Sequence, residues 1–125
     1  MIERYSLPKM LKVWSEQSKF EKMLKIELLV CEAWNKLGQL PKKSLMAIRS
    51  KAKIDIEKIK EIEEKTKHDV VAFVNNLSES VGPQAQYIHM GLTSNDVLDT
   101  TLALQLVEAF DLLILDAERL LSVLE

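Results

Sequence analysis

Two short stretches carry polar side chains that look placed for chemistry. The first is Lys67-His68-Asp69, which runs directly into Val70-Val71-Ala72-Phe73. It puts a cation, an imidazole and a carboxylate at a junction between helical segments, where side chains converge on a cleft. An imidazole in such a place can give or take a proton near neutral pH. The plainer reading has Asp69 capping the helix that follows and His68 as an ordinary surface histidine. The second stretch is Tyr87-Ile88-His89-Met90-Gly91-Leu92-Thr93-Ser94-Asn95-Asp96. Gly91 relieves backbone constraint before a Thr-Ser pair that opens a long helix. Thr93 or Ser94 can cap that helix, and Asp96 sits in its first turn, where a carboxylate is favoured. The same geometry offers free backbone N–H groups and two hydroxyls to an anionic ligand. Capping and anion binding are compatible, and the residues alone leave both open.

The elements that must position these residues read as helices throughout. Only three Gly and three Pro interrupt 125 residues. A short helical turn starts at Pro8, a residue tolerated at a first helical position. Ser15 or Ser18 caps a long helix running to about Leu37 and stopped at Gly38, with Pro41 beyond. Its apolar residues, among them Phe20, Met23, Ile26, Cys31 and Trp34, recur mostly at three- and four-residue spacing. Further helices are expected over Lys42–Lys53, Asp55 to about Lys65, and Asp69–Ser80, the last ended by Gly82-Pro83. The alternating Lys and Glu between residues 42 and 67 describe a solvated face.

The segment from Ser94 to Glu125 contains no helix breaker and predicts one helix roughly 48 Å long at 1.5 Å per residue. Leu98, Leu102, Leu106, Phe110, Leu113, Leu120 and Leu124 form one apolar row. Leu104, Val107, Ile114, Leu115, Leu121 and Val123 cover much of the rest, and polar residues shrink to a stripe through Thr101, Gln105, Glu108, Asp111, Asp116, Arg119 and Ser122. A helix apolar on most sides requires helical neighbours all round. The preceding residues can cover only its first turns, so the other neighbours must come from later chain, from other subunits, or from both.

Bulk composition narrows the function. With 47% hydrophobic residues the chain can build a core. A net charge of −2 argues against a nucleic-acid binder with a basic footprint. Two His and one Cys cannot make a structural zinc site or a disulfide framework, and Cys31 within Leu28-Leu29-Val30-Cys31 reads as a small buried hydrophobe. No secretory signal and no membrane span is expected, which makes a soluble cytoplasmic protein the default.

Taken together, His-Asp-Val-Val-Ala-Phe at 68–73 and His-Met-Gly-Leu-Thr-Ser-Asn-Asp-Val-Leu-Asp-Thr at 89–100 resemble the adenylosuccinate lyases of the fumarase/aspartase superfamily. The opening Ile2-Glu3-Arg4-Tyr5-Ser6 is similar to that family's nucleotide-contacting start. The Thr-Ser-x-Asp element is common to the superfamily, whereas His-Asp-Val-Val and the Arg-Tyr start narrow it to this branch. The resemblance implies an all-α fold, with an N-terminal helical domain over residues 1–92 and the first long helix of a central bundle over 93–125. It implies β-elimination of fumarate from succinylated purine nucleotides, needing no cofactor and no metal. By the same resemblance His68 is the catalytic candidate. Arg4, Tyr5, Lys67, His68, Asp69, Thr93 and Ser94 would bind substrate, with Asp96 and His89 behind them; Asp96 would orient the Thr-Ser turn. The expected assembly is a homotetramer whose active sites draw on three subunits.

The chain departs from the family in one respect. The regions that supply the superfamily's acid histidine and its Gly-Ser-Ser loop do not occur, so the expectation is an N-terminal part that is inactive alone. A cycloisomerase-like relative would not need an Arg-Tyr phosphate contact. A helical self-association module would explain the apolar helix but not the two polar stretches together.

Overall fold

The computed structural model describes residues 2–124, and Glu125, the final residue of the predicted long helix, lies outside them. The regular elements among the described residues are all helices: α1 (Pro8–Val13), α2 (Glu16–Lys36), α3 (Lys42–Lys51), α4 (Ile56–Thr66), α5 (Asp69–Val81) and α6 (Ser94–Leu124), with 3-10 segments at Glu3–Tyr5 and Gly82–Tyr87. None of these helices is long and apolar enough to cross a membrane.

Local chemistry sets the boundaries. Ser15 caps α2 by accepting the Ser18 N–H at 3.1 Å, and Gly38, at φ 73°, turns the chain after it. Asp55 lies outside α4 as its cap, accepting the Lys58 N–H at 3.0 Å. α3 is two residues shorter than its pattern predicts. Ala52 is extended at φ −60° and ψ 119°, and the next backbone donors bond α5 side chains, Lys53 to Ser80 and Asp55 to Asn76. Past α5, which Gly82-Pro83 ends, the chain continues as a 3-10 segment over Gly82–Tyr87.

α2 is the organising element. Phe20 and Met23 of α2, Leu40, Ile48 of α3, Ile59 of α4, and Phe73 and Leu77 of α5 form one buried cluster that also takes in Val97 of α6. Phe20 and Phe73 stack with ring centroids 5.9 Å apart.

α6 packs on α1 and α2 by its less apolar face. Val97, Thr101, Gln105 and Ala109 are buried, four residues apart, so they form one row. Gln105 Nε2 donates to the Val13 carbonyl at 2.8 Å, while Thr101 Oγ1 is buried without a hydrogen-bond partner among the described residues. Much of the predicted apolar row lies on the outside: Leu102, Leu106, Phe110, Leu113, Leu120 and Leu124 are 40–74% exposed. Leu104 is an exception to the exposed set, being half-buried against the core.

Candidate functional site

Lys67 ends α4 in the left-handed region at φ 54°, and this reversal delivers His68 to the start of α5. His68 caps α5, its Nδ1 accepting the Val71 N–H at 3.4 Å. The capping reading of Asp69 is therefore corrected. Asp69 already lies in the first turn, where its Oδ1 accepts the Val70 N–H at 2.8 Å and Oδ2 lies 3.9 Å from Lys19 Nζ. An Nδ1 that accepts carries no proton, so a neutral His68 has its N–H at Nε2. Lys67 and His68 are exposed and can reach a ligand.

The second stretch starts α6. Thr93 precedes the helix, and its N–H donates to Asp96 Oδ2 at 2.8 Å, while the Asp96 N–H bonds the Thr93 carbonyl at 3.1 Å. This reciprocal pair fixes the Thr-Ser turn as half of a capping box does. The first N–H groups of α6 then point out of the helix with the positive end of its dipole.

Three α2 side chains that share one stripe hold the loop leading to this turn. Cys31 Sγ lies 3.6 Å from the Tyr87 carbonyl, and Trp34 Nε1 donates to the Met90 carbonyl at 2.8 Å. Glu27, only 1% exposed, accepts from the His89 N–H at 2.8 Å and pairs with His89 Nδ1 at 2.7 Å. Burial, and then the nearby Glu27 carboxylate, push the Cys31 thiol up to about 11, so it stays a neutral packing group. Gly91 turns at φ 78°, and a Cβ there would sit 3.1 Å from the Trp34 ring.

Glu27 escapes a reading by composition, since one Glu among many suggests a solvated face. Its signal is positional. Phe20, Met23, Glu27, Cys31 and Trp34 follow one another at spacings of three and four, so Glu27 occupies an apolar slot and needs a partner.

The starts of α5 and α6 flank a small cleft of about 270 Å³ lined by Val70, Val71, Val74, Asn75, His89 and Ser94, and Lys67, His68, Asp69 and Thr93 are not among its lining residues. Among the described residues, Lys67 and His89 are the non-glycine residues with positive φ, one in each stretch. Such backbone costs on the order of 1 kcal/mol per residue and collects at functional sites.

Arg4 and Tyr5 are not brought to this cleft. Arg4 lies over the Tyr5 ring, 4.8 Å from its centroid. Tyr5 lines a separate groove of about 590 Å³ with Leu112, Leu115, Asp116 and Arg119 of α6. Leu112 is 18 residues beyond Ser94, or roughly 27 Å along the helix at 1.5 Å per residue. That exceeds the reach of one succinylated mononucleotide. Among the described residues no three or more His, Cys, Asp or Glu side chains gather as a metal site would require.

Comparison with known proteins gives consistent likenesses. A family model described as "Lyase" matches residues 3–125. Adenylosuccinate lyase of Bacillus subtilis (strain 168) is 46% identical over 125 residues, which are 100% of this chain and 29% of that protein. The crystal structure of fumarate lyase from Mesorhizobium sp. BNC1 superposes with a TM-score of 0.72 at 25% identity, covering 80% of this chain and 24% of that one. The chain thus spans less than a third of the length of either relative.

Proposed function

The chain belongs to the lyase family, and from that premise we propose that it forms the N-terminal part of an adenylosuccinate lyase acting as a cytoplasmic homotetramer. The reaction removes fumarate from adenylosuccinate to give AMP, and from the succinylated aminoimidazole carboxamide ribotide of purine synthesis. The observation that carries this reading is the 46% identity to adenylosuccinate lyase over all 125 residues, both polar stretches included.

In the elimination a proton leaves the carbon beside a succinyl carboxylate, the C–N bond breaks, and the nitrogen leaves with the bonding pair and takes a proton. Negative charge grows on the carboxylate before the C–N bond has broken, and donors fixed around it lower the barrier. Thr93, Ser94 and the free N–H groups of α6 serve this role. His68 presents Nε2–H as a donor to substrate, with Lys67 and Asp69 flanking it. Arg4 grips phosphate in two-pronged fashion, and Tyr5 adds a hydroxyl. Because the groove that Tyr5 lines beside Leu112 stands roughly 27 Å along α6 from Ser94, each site combines the Arg4-Tyr5 pair and Ser94 from different subunits.

The test is fumarate release, followed by absorbance in the full-length protein. His68→Ala and Ser94→Ala should each lower turnover by about 10²-fold or more. Arg4→Ala should raise KM more than it lowers kcat, because a phosphate contact holds ground and transition states alike. The isolated 125 residues should show no turnover. Wild-type rates in the full-length His68 and Ser94 variants would defeat the assignment.

A further inference from the structure

We propose that Glu27 is a positioning residue of this site: it holds His89 through both its backbone N–H and Nδ1, so that Nε2 meets an oxyanion of the substrate bound at the start of α6. The ligand in this statement rests on the functional reading above, whereas the Glu27–His89 geometry stands without it.

Both Glu27 oxygens go to one residue: Oε2 accepts the His89 N–H at 2.8 Å and Oε1 meets Nδ1 at 2.7 Å. An ionised carboxylate only accepts, so Nδ1 carries a proton and Nε2 is the remaining nitrogen for a ligand. Burying a carboxylate in the middle of α2 is costly unless it is paired. A plain loop anchor would not need one, because Trp34 and Cys31 already bond the same loop. The second oxygen reaches a ring rather than a backbone group, which fixes the imidazole's rotation and its tautomer. The His89 backbone sits at φ 61°, a conformation that favours glycine, yet an imidazole stands there. That imidazole lines the cleft shared with Ser94. Meeting an oxyanion requires a proton on Nε2 as well, so the ring binds the ligand as the doubly protonated imidazolium, with Nδ1–H on Glu27 and Nε2–H on the oxyanion.

The experiment compares the full-length protein with Glu27→Gln, Glu27→Asp, His89→Ala and the Glu27→Gln/His89→Ala double variant, by kcat/KM, by titration with AMP and with fumarate, and by melting temperature. Gln keeps the side chain's size, but with its oxygen on the His89 N–H it turns an NH₂ toward Nδ1. Glu27→Gln should lower kcat/KM about 10- to 100-fold, the range seen when a carboxylate that orients a metal-bound histidine is lost. His89→Ala should cost at least as much, and the double variant no more than His89→Ala alone. Glu27→Asp, which keeps the charge at shorter reach, should fall between. Weaker binding of AMP in Glu27→Gln and His89→Ala assigns the oxyanion to phosphate, and weaker binding of fumarate assigns it to carboxylate. A further loss from Glu27→Gln in the His89→Ala background overturns the proposal. So does unchanged binding of both anions in those variants, no binding of either anion by the unsubstituted protein, or failure of both Glu27 variants to fold. An unsubstituted protein that binds AMP without releasing fumarate from adenylosuccinate would sink the functional reading alone and leave the Glu27–His89 coupling measurable in the binding arm.

Discussion

At the residue scale, a side chain that caps a helix can also be the one proposed for chemistry, and substitution can separate the two. His68 caps α5 through Nδ1 while Nε2 remains for a ligand. His68→Asn replaces the ring with a preferred capping residue, so denaturant unfolding should show stability within about 0.5 kcal/mol of the original, against a loss of about 1 kcal/mol for His68→Ala. Fumarate release by the full-length protein should collapse in both. Cys31 gives a second case. Its folded thiol holds a proton up to about 11, against an ordinary value of 9.0, so between these values the folded state binds more protons than the unfolded one. That contribution is complete below pH 9 and is lost as pH rises toward 11, at up to about 1.4 kcal/mol per unit. Cys31→Ala should flatten this part of the alkaline unfolding curve. The sequence exposes His68 and Ser94 because short motifs declare them. It conceals Glu27, whose partner is 62 residues away and visible only once α2 and the 87–92 loop are packed.

At the element scale, the helices were legible nearly to their ends because caps and breakers act locally. Ser15 and Gly38 bound α2 through their own hydrogen bond and dihedral angle. The orientation of α6 was not legible. A hydrophobic row shows that a face will be covered, but not by which neighbour. Here the intrachain neighbours α1 and α2 take the row Val97-Thr101-Gln105-Ala109, and the richer apolar faces are left outward. Gln105 succeeds in that row because the Val13 carbonyl accepts from it. Thr101 has no such partner among the described residues, and leaving a buried hydroxyl unpaired costs about 1–3 kcal/mol. Thr101→Val, nearly the same in shape, should therefore leave thermal stability unchanged or raise it by about 1 kcal/mol, as calorimetry would show. A clear drop in melting temperature would mean that Oγ1 has found a bond within the helix.

At the scale of the whole molecule, the outward faces of α6 govern behaviour in solution. Phe110, Leu113, Ile114, Leu120 and Leu121 are each more than half exposed, and each gains about 1.5–3 kcal/mol when fully buried. The isolated 125 residues should therefore sediment as an oligomer at tens of micromolar, and Phe110→Glu with Leu113→Glu should return them toward monomer. A clean monomer without those changes would contradict the bundle reading. The span of roughly 27 Å between Ser94 and the Tyr5 groove also bears on heredity. In the proposed tetramer, where Arg4 of one chain would serve the Ser94 of another, a cell with two differently damaged gene copies, Arg4→Ala and Ser94→Ala, would build mixed assemblies. With random assembly about a quarter of their sites receive both intact residues. Such a cell should release fumarate faster at low substrate than a cell holding either copy alone, so the two defects would partly rescue each other.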